Sequence, residues 1–278
     1  MDSYSHDGLT FDVTDAGPTD GRVVIALHGF PEDRRCWEPI TPALTDAGYR
    51  VLAPDQRGYS PGARPAGRRS YVTSKLDRDV LALGDAAGVD RFDVVGHDWG
   101  GLVAWDLAAR HPDRIRSVVS LSTPHPRALL DSMRHSTQLL HSWYMGFFQL
   151  PWVPERILAI QGGARGATAL QRGGLDKASA ERYAIRFATP EAMTGPLNWY
   201  RALPFERRDQ TPNVGVPAMY VWSDGDNFLT RAAAERTHYY VMGPYRFEVL
   251  AGQNHWLPTN AAAQVAPLLL QHLASVSE

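Results

Sequence analysis

Short apolar runs alternate with longer amphipathic stretches along this chain. Clusters rich in β-branched and aliphatic residues at 9–16, 22–27, 49–53, 91–95, 115–121, 216–222 and 246–250 predict strands, the first of them at a sheet edge. Between them, residues 36–47, 70–87, 102–110, 231–239 and 260–274 carry apolar positions at helical spacing and predict helices. From Arg127 to about Pro212 the strand-like runs vanish. Helix formers take over there, with aromatics gathered at Trp143-Tyr144, Phe147-Phe148, Trp152 and Trp199-Tyr200. The pattern predicts one α/β domain with a mostly parallel sheet flanked by helices. Residues 1–126 and 213–278 form its core, and 127–212 a helical insertion between two strands. Gly162-Gly163 and Gly173-Gly174 read as turns inside the insertion. No internal repeat or low-complexity segment breaks this organisation.

Composition narrows the setting. The 278 residues are 44% hydrophobic, enough for a full core, and the formal net charge of −2 gives no electrostatic reason to expect nucleic acid or an anionic membrane as partner. Cys36 is the single cysteine, expected to pack near Trp37, so an intrachain disulfide is excluded. The first ten residues lack the basic start and apolar centre of a signal peptide, and no stretch reaches the length of a membrane span. A cytoplasmic protein is expected.

The chemistry centres on Val94 to Gly101, VVGHDWGG. A strand, a sharp turn and a helix follow one another here with the spacing Gly-x-Nuc-x-Gly of a nucleophile elbow, but Asp98 stands where the usual motif has Ser. The two glycines let strand and helix approach closely. Asp98 as a plain N-cap of the following helix is the competing reading. A second match, Gly58-Tyr-Ser60-Pro-Gly62, lacks the context, because Pro61 and Pro65 stand where a helix should begin. Ser60 is expected to be a loop residue.

If Asp98 is a nucleophile, an acid and a histidine should follow it at later strand ends. The strand at 216–222 runs into Asp224 and Asp226, and the strand at 246–250 into His255. A carboxylate is ionised at neutral pH without a base, so it can attack a saturated carbon directly and form an alkyl ester. Histidine is then needed only to activate the water that attacks the ester carbonyl. The N–H groups of Trp99 and Phe30, in the elbow and in the His28-Gly-Phe-Pro loop, are expected to form the oxyanion hole. The electrophile should be an epoxide or an alkyl halide, and neither a metal nor an organic cofactor is called for.

Over nearly its whole length the chain resembles α/β-hydrolases of the epoxide hydrolase family. The resemblance rests on HGFPE at His28 to Glu32, DQRGYS at Asp55 to Ser60, GHDWGG at Gly96 to Gly101, SWYMGFFQLP at Ser142 to Pro151, PLNWYR at Pro196 to Arg201 and QNHW at Gln253 to Trp256. It implies an α/β-hydrolase fold with a helical cap, and an epoxide opened to a vicinal diol. It also implies that Tyr144 and Tyr200 bind the epoxide oxygen, and it selects Asp226 over Asp224 as the acid. Trp143, Phe148, Trp199 and Trp256, within these motifs, are the candidate substrate contacts. The approach to His255 through Gln253-Asn254 departs from the family's glycine-rich one. A haloalkane dehalogenase would share the Asp nucleophile but give the two tyrosines no role, and a non-catalytic ligand-binding relative would not need the full set. The expected partner is a small-molecule epoxide, and a homodimer is compatible with the sequence.

Overall fold

The computed structural model describes residues 1–160, 164–206 and 211–276. Gly162-Gly163 of the insertion lies outside them. Eight strands form one sheet: β1 (Ser3–His6), β2 (Leu9–Ala16), β3 (Arg22–Leu27), β4 (Tyr49–Pro54), β5 (Phe92–His97), β6 (Ile115–Leu121), β7 (Ala218–Ser223) and β8 (Tyr245–Leu250). Their order is β1-β2-β4-β3-β5-β6-β7-β8. β1 and β2 pair antiparallel, as do β2 and β4, and every pair from β4 to β8 is parallel.

The central strands are buried along their length, as continuous apolar runs such as Val23-Val24-Ile25-Ala26-Leu27 require in a sheet covered on both faces. One face carries Trp37, Leu44 and the C-terminal helix through Val265 and Leu269. The other carries the helices Thr73–Ala86 and Trp99–Arg110 and continues into the insertion through Tyr183, Leu197 and Trp199. Cys36 sits fully buried beside Trp37. The strand order reverses between β3 and β5, and in such sheets the crevice outside the carboxyl ends of the strands at that reversal receives ligands.

Several elements differ from the sequence pattern. β1 was not anticipated. It is short and polar, and the Asp7-Gly8 turn, with φ of 51° and 73°, folds it back on β2 as a hairpin. The helix expected at 36–47 is a 3₁₀ turn Arg34–Trp37 followed by a helix Thr41–Asp46, since Pro39 and Pro42 each remove a backbone donor. The helix expected from residue 70 begins at Thr73, after a 3₁₀ turn Arg68–Tyr71. The one expected at 231–239 ends at Arg236 and continues as a 3₁₀ turn, and the last is split into Leu257–Asn260 and Ala262–Ser275. Between β6 and β7 every named element is a helix or 3₁₀ turn, from Pro126–His135 to Leu203–Phe205, and Val214 makes a single β-bridge to Val241.

Candidate active site

At the end of β5 the chain turns so sharply that Asp98 takes φ 50° and ψ −117°, a conformation a non-glycine residue adopts only under strain. The glycines around it have no alternative: a Cβ on Gly96 would lie 2.1 Å from Gly100 O, and one on Gly100 would lie 2.2 Å from Leu27 O. Asp98 holds the N-cap position of the helix Trp99–Arg110 but makes no side-chain capping bond there, so capping is not what its carboxylate does. Its Oδ1 instead accepts from the Phe30 N–H at 2.9 Å, across the reversal between β5 and β3. Thr123 Oγ1 donates to its carbonyl at 2.7 Å.

The loops after β7 and β8 deliver the other two groups. His255 Nδ1 lies 2.7 Å from Asp226 Oδ2, and its Nε2 lies 3.5 Å from Asp98 Oδ2. A carboxylate can only accept here, so Nδ1 carries a proton. Asp226 is itself fixed by the N–H groups of Phe228 and Leu229, both donating to Oδ1. Asp224 is turned elsewhere, accepting from Gly252 N at 2.7 Å. Asp226, not Asp224, is the acid brought to His255.

Burial acts against the charges of both Asp98 and His255, yet their mutual attraction prevails. Burial raises the Asp98 carboxyl, but the hydrogen bond and charge of His255, with His97 and the Phe30 N–H, hold it below the ordinary value. Burial lowers His255, but Asp226 and then Asp98 push it up to about 10. Both shifts favour the charged forms of Asp98 and His255 facing each other.

Tyr144 and Tyr200 face a cavity of about 530 Å³ together with Asp98 and His255. Burial raises both phenols well above their ordinary value, with the nearby Asp98 charge adding to it, so each remains a neutral donor through the neutral range. Their rings lie 6.0 Å apart and nearly perpendicular, and Tyr200 packs edge-on against Trp99 at 4.8 Å. Phe148 is buried in the wall, Trp256 lines it, and Trp143 stands at the mouth, 71% exposed. Trp199 does not reach the cavity. Its indole donates to Arg57 O at 2.7 Å and its ring packs on Tyr59 and Trp99, which corrects the expectation of a substrate contact. Ser60 is a buried latch, accepting from Asp12 N and donating to Asp55 O.

Sequence reasoning gave no role to Glu32 and His97, although both lie inside the quoted motifs. His97 Nδ1 lies 2.7 Å from Glu32 Oε2, and its Nε2 donates to the His255 carbonyl at 2.8 Å. Glu32 also accepts from Gly29 N, in the loop that carries Phe30. The pair therefore ties the Phe30 loop to the His255 loop. A histidine at the inner end of a central strand was the available signal. Among the described residues no group of three or more His, Cys, Asp or Glu could hold a metal ion, and no helix is long and apolar enough to cross a membrane.

Residues 22–258 match the family described as alpha/beta hydrolase fold. The chain is 34% identical to the AB hydrolase superfamily protein YfhM of Bacillus subtilis, over 96% of this chain and 95% of that protein. It is 31% identical to epoxide hydrolase A of Mycobacterium tuberculosis, over 97% of this chain and 95% of that one. Among solved structures, epoxide hydrolase A of Mycobacterium thermoresistibile superposes with a TM-score of 0.81 at 28% identity, covering 99% of this chain and 98% of that one.

Proposed function

Because the chain belongs to the alpha/beta-hydrolase family, on its epoxide hydrolase branch, it is a hydrolase, and we propose that its substrate is an epoxide opened to a vicinal diol through an ester on Asp98. The observation that carries this reading is the convergence on one cavity of an ionised Asp98 and two neutral phenols, Tyr144 and Tyr200. Breaking an epoxide C–O bond leaves an alkoxide that must be protonated, and a departing halide needs no proton. In this reading Asp98 attacks carbon while Tyr144 and Tyr200 hydrogen-bond the epoxide oxygen and supply its proton. The phenolate left behind is reprotonated only after the ester has formed, by the proton that His255 then gives up, so His255 takes no part in breaking the C–O bond.

Ester formation consumes the Asp98 charge. His255 then loses one of the two carboxylates that raise it, releases its proton and becomes the base for water, with Asp226 still orienting Nδ1. The oxyanion formed on Asp98 is met by the Phe30 N–H, already 2.9 Å from Oδ1, and by the Trp99 N–H at the head of its helix. Residues 127–212 act as a cap over a core made of 1–126 and 213–278, bringing both tyrosines and the contacts Trp143 and Phe148. Among the described residues no Lys or Arg lines the cavity, and Asp98 is anionic, so the fitting substrate is a neutral, largely apolar epoxide of a size suited to a cavity of about 530 Å³. The site as read uses no cofactor. Turnover of styrene-oxide-like, fatty and polycyclic epoxides beside matched alkyl halides tests the assignment. Diol formation without halide release is expected, and efficient release of chloride or bromide would put a dehalogenase in its place.

A further inference from the structure

The loop that carries His255 also grips the inserted helices. Gly173-Gly174 forms the turn between the helices Ala164–Arg172 and Lys177–Arg186, and three side chains of the His255 loop close on it. Asn254 Nδ2 donates to Gly174 O at 2.8 Å, Asn260 Nδ2 donates to the same oxygen at 2.6 Å, and Trp256 Nε1 donates to Gly173 O at 2.8 Å. Gly174 has φ 93°, and a Cβ there would lie 2.7 Å from Asn254 Nδ2, so the grip requires glycine at this position.

Asn254 is bonded equally closely on its other side. Its Oδ1 accepts from the Trp256 N–H at 3.0 Å and from Asn260 Nδ2 at 3.1 Å, and its carbonyl accepts from Ser223 Oγ at 2.8 Å. The His255 carbonyl accepts from His97 Nε2 and Ser122 Oγ, both at 2.8 Å. His255 is thus framed by the core, and Asn254, with Trp256 and Asn260, joins that frame to a turn about 80 residues earlier in the chain. The turn cannot slide without displacing Asn254, and Asn254 cannot move without pulling on the peptide that follows His255.

We propose that Asn254 and Asn260 are positioning residues that couple the seating of the inserted helices to the alignment of His255 for ester hydrolysis. The inference rests on the reading of Asp98 as nucleophile and His255 as base. Because His255 acts as base only in the second step, loosening the grip should slow that step selectively. A displacement of about 1 Å at a reacting group can cost on the order of a hundredfold in rate.

The test follows ester formation and decay by intact-protein mass in a single turnover of a styrene-oxide-like epoxide, for the parent, Asn254→Ala and Asn260→Ala. Hydrogen exchange of amides 173–175 and the melting temperature are measured on the same samples. The expected result is faster exchange at the turn, ester formation close to the parent's, and ester decay slowed by about ten- to a hundredfold with its pH profile displaced. Faster exchange or a lower melting temperature with parent-like decay would overturn the coupling and leave the grip purely structural. A parent that forms diol without any ester would instead refute the reading of Asp98, and the coupling would fall with it.

Discussion

Replacing Asp98 by Asn removes one charge and almost no volume, and it mimics the neutral side chain that the ester leaves behind. His255 Nε2 lies 3.5 Å from Asp98 Oδ2. At an effective dielectric constant of about 20, two unit charges at that separation attract by about 5 kcal/mol. Every 1.4 kcal/mol or so is a tenfold change in proton affinity, so the imidazole of the variant should bind its proton a few thousandfold more weakly, by about three and a half decades. His255 is pushed up to about 10 in the parent, and in Asp98→Asn it should titrate near neutrality, where a general base works best. Imidazole resonances followed by NMR across pH measure this directly, with intact mass confirming that the Asn has not deamidated. An imidazole that still titrates near its parent value would show that Asp226 alone holds the proton, and the charge-consuming switch would be wrong. The same pair sets a pH dependence of stability. Its contribution is fully present between the ordinary carboxylate value of 3.8 and the unfolded imidazole value of about 6.5 and is lost as pH rises toward about 10, so the parent's stability advantage over Asp98→Asn should shrink across the upper window.

Further outcomes follow from the same geometry. Tyr144→Phe and Tyr200→Phe keep the ring packing and remove a donor, so each should slow ring opening by roughly a hundred- to a thousandfold, with the double variant folded but nearly inactive. Normal epoxide turnover in the double variant would reduce both residues to packing. His255→Gln should permit ring opening and block hydrolysis, so an adduct on Asp98 should accumulate in intact-mass spectra. Asp226→Ala should slow the same step far more than Asp224→Ala, because Asp226 is bonded to His255 and Asp224 to Gly252. Trp199→Phe loses its bond to Arg57 O and should lower the melting temperature with little change in KM, whereas a large KM effect would return Trp199 to the substrate site.

Much of this layout was legible in the sequence, and the illegible parts share a physical cause. The elbow could be read because Gly96, pressed against Gly100, and Gly100, pressed against Leu27 of β3, stand at a fixed spacing on either side of Asp98. The strands β3 and β7 could be read because two-sided burial demands near-unbroken apolar runs, and β2 because Leu9, Phe11 and Val13 alternate with polar residues. Direction was harder than position. Trp199 and Tyr200 are neighbours, but adjacent residues of a helix point about 100° apart, so one lines the cavity and the other anchors to Arg57. Spacing alone left Asp224 and Asp226 open, since the choice is made by the N–H groups of Phe228 and Leu229 that only the folded loop presents. The grip of Asn254 on Gly174 left only two faint signs, a paired glycine and an asparagine where a glycine was expected, because no local pattern records a contact between residues so far apart.

The central claim is that an oxygen of Asp98, not of bulk water, is the first to reach the substrate carbon. A single turnover of excess enzyme on epoxide in oxygen-18 water decides it. The account expects unlabelled diol from the first turnover, with the label appearing in the Asp98 carboxylate by peptide mass and in diol only in later turnovers. Labelled diol in the first turnover, with Asp98 left unlabelled, would mean that water attacks the epoxide directly and would contradict the ester mechanism.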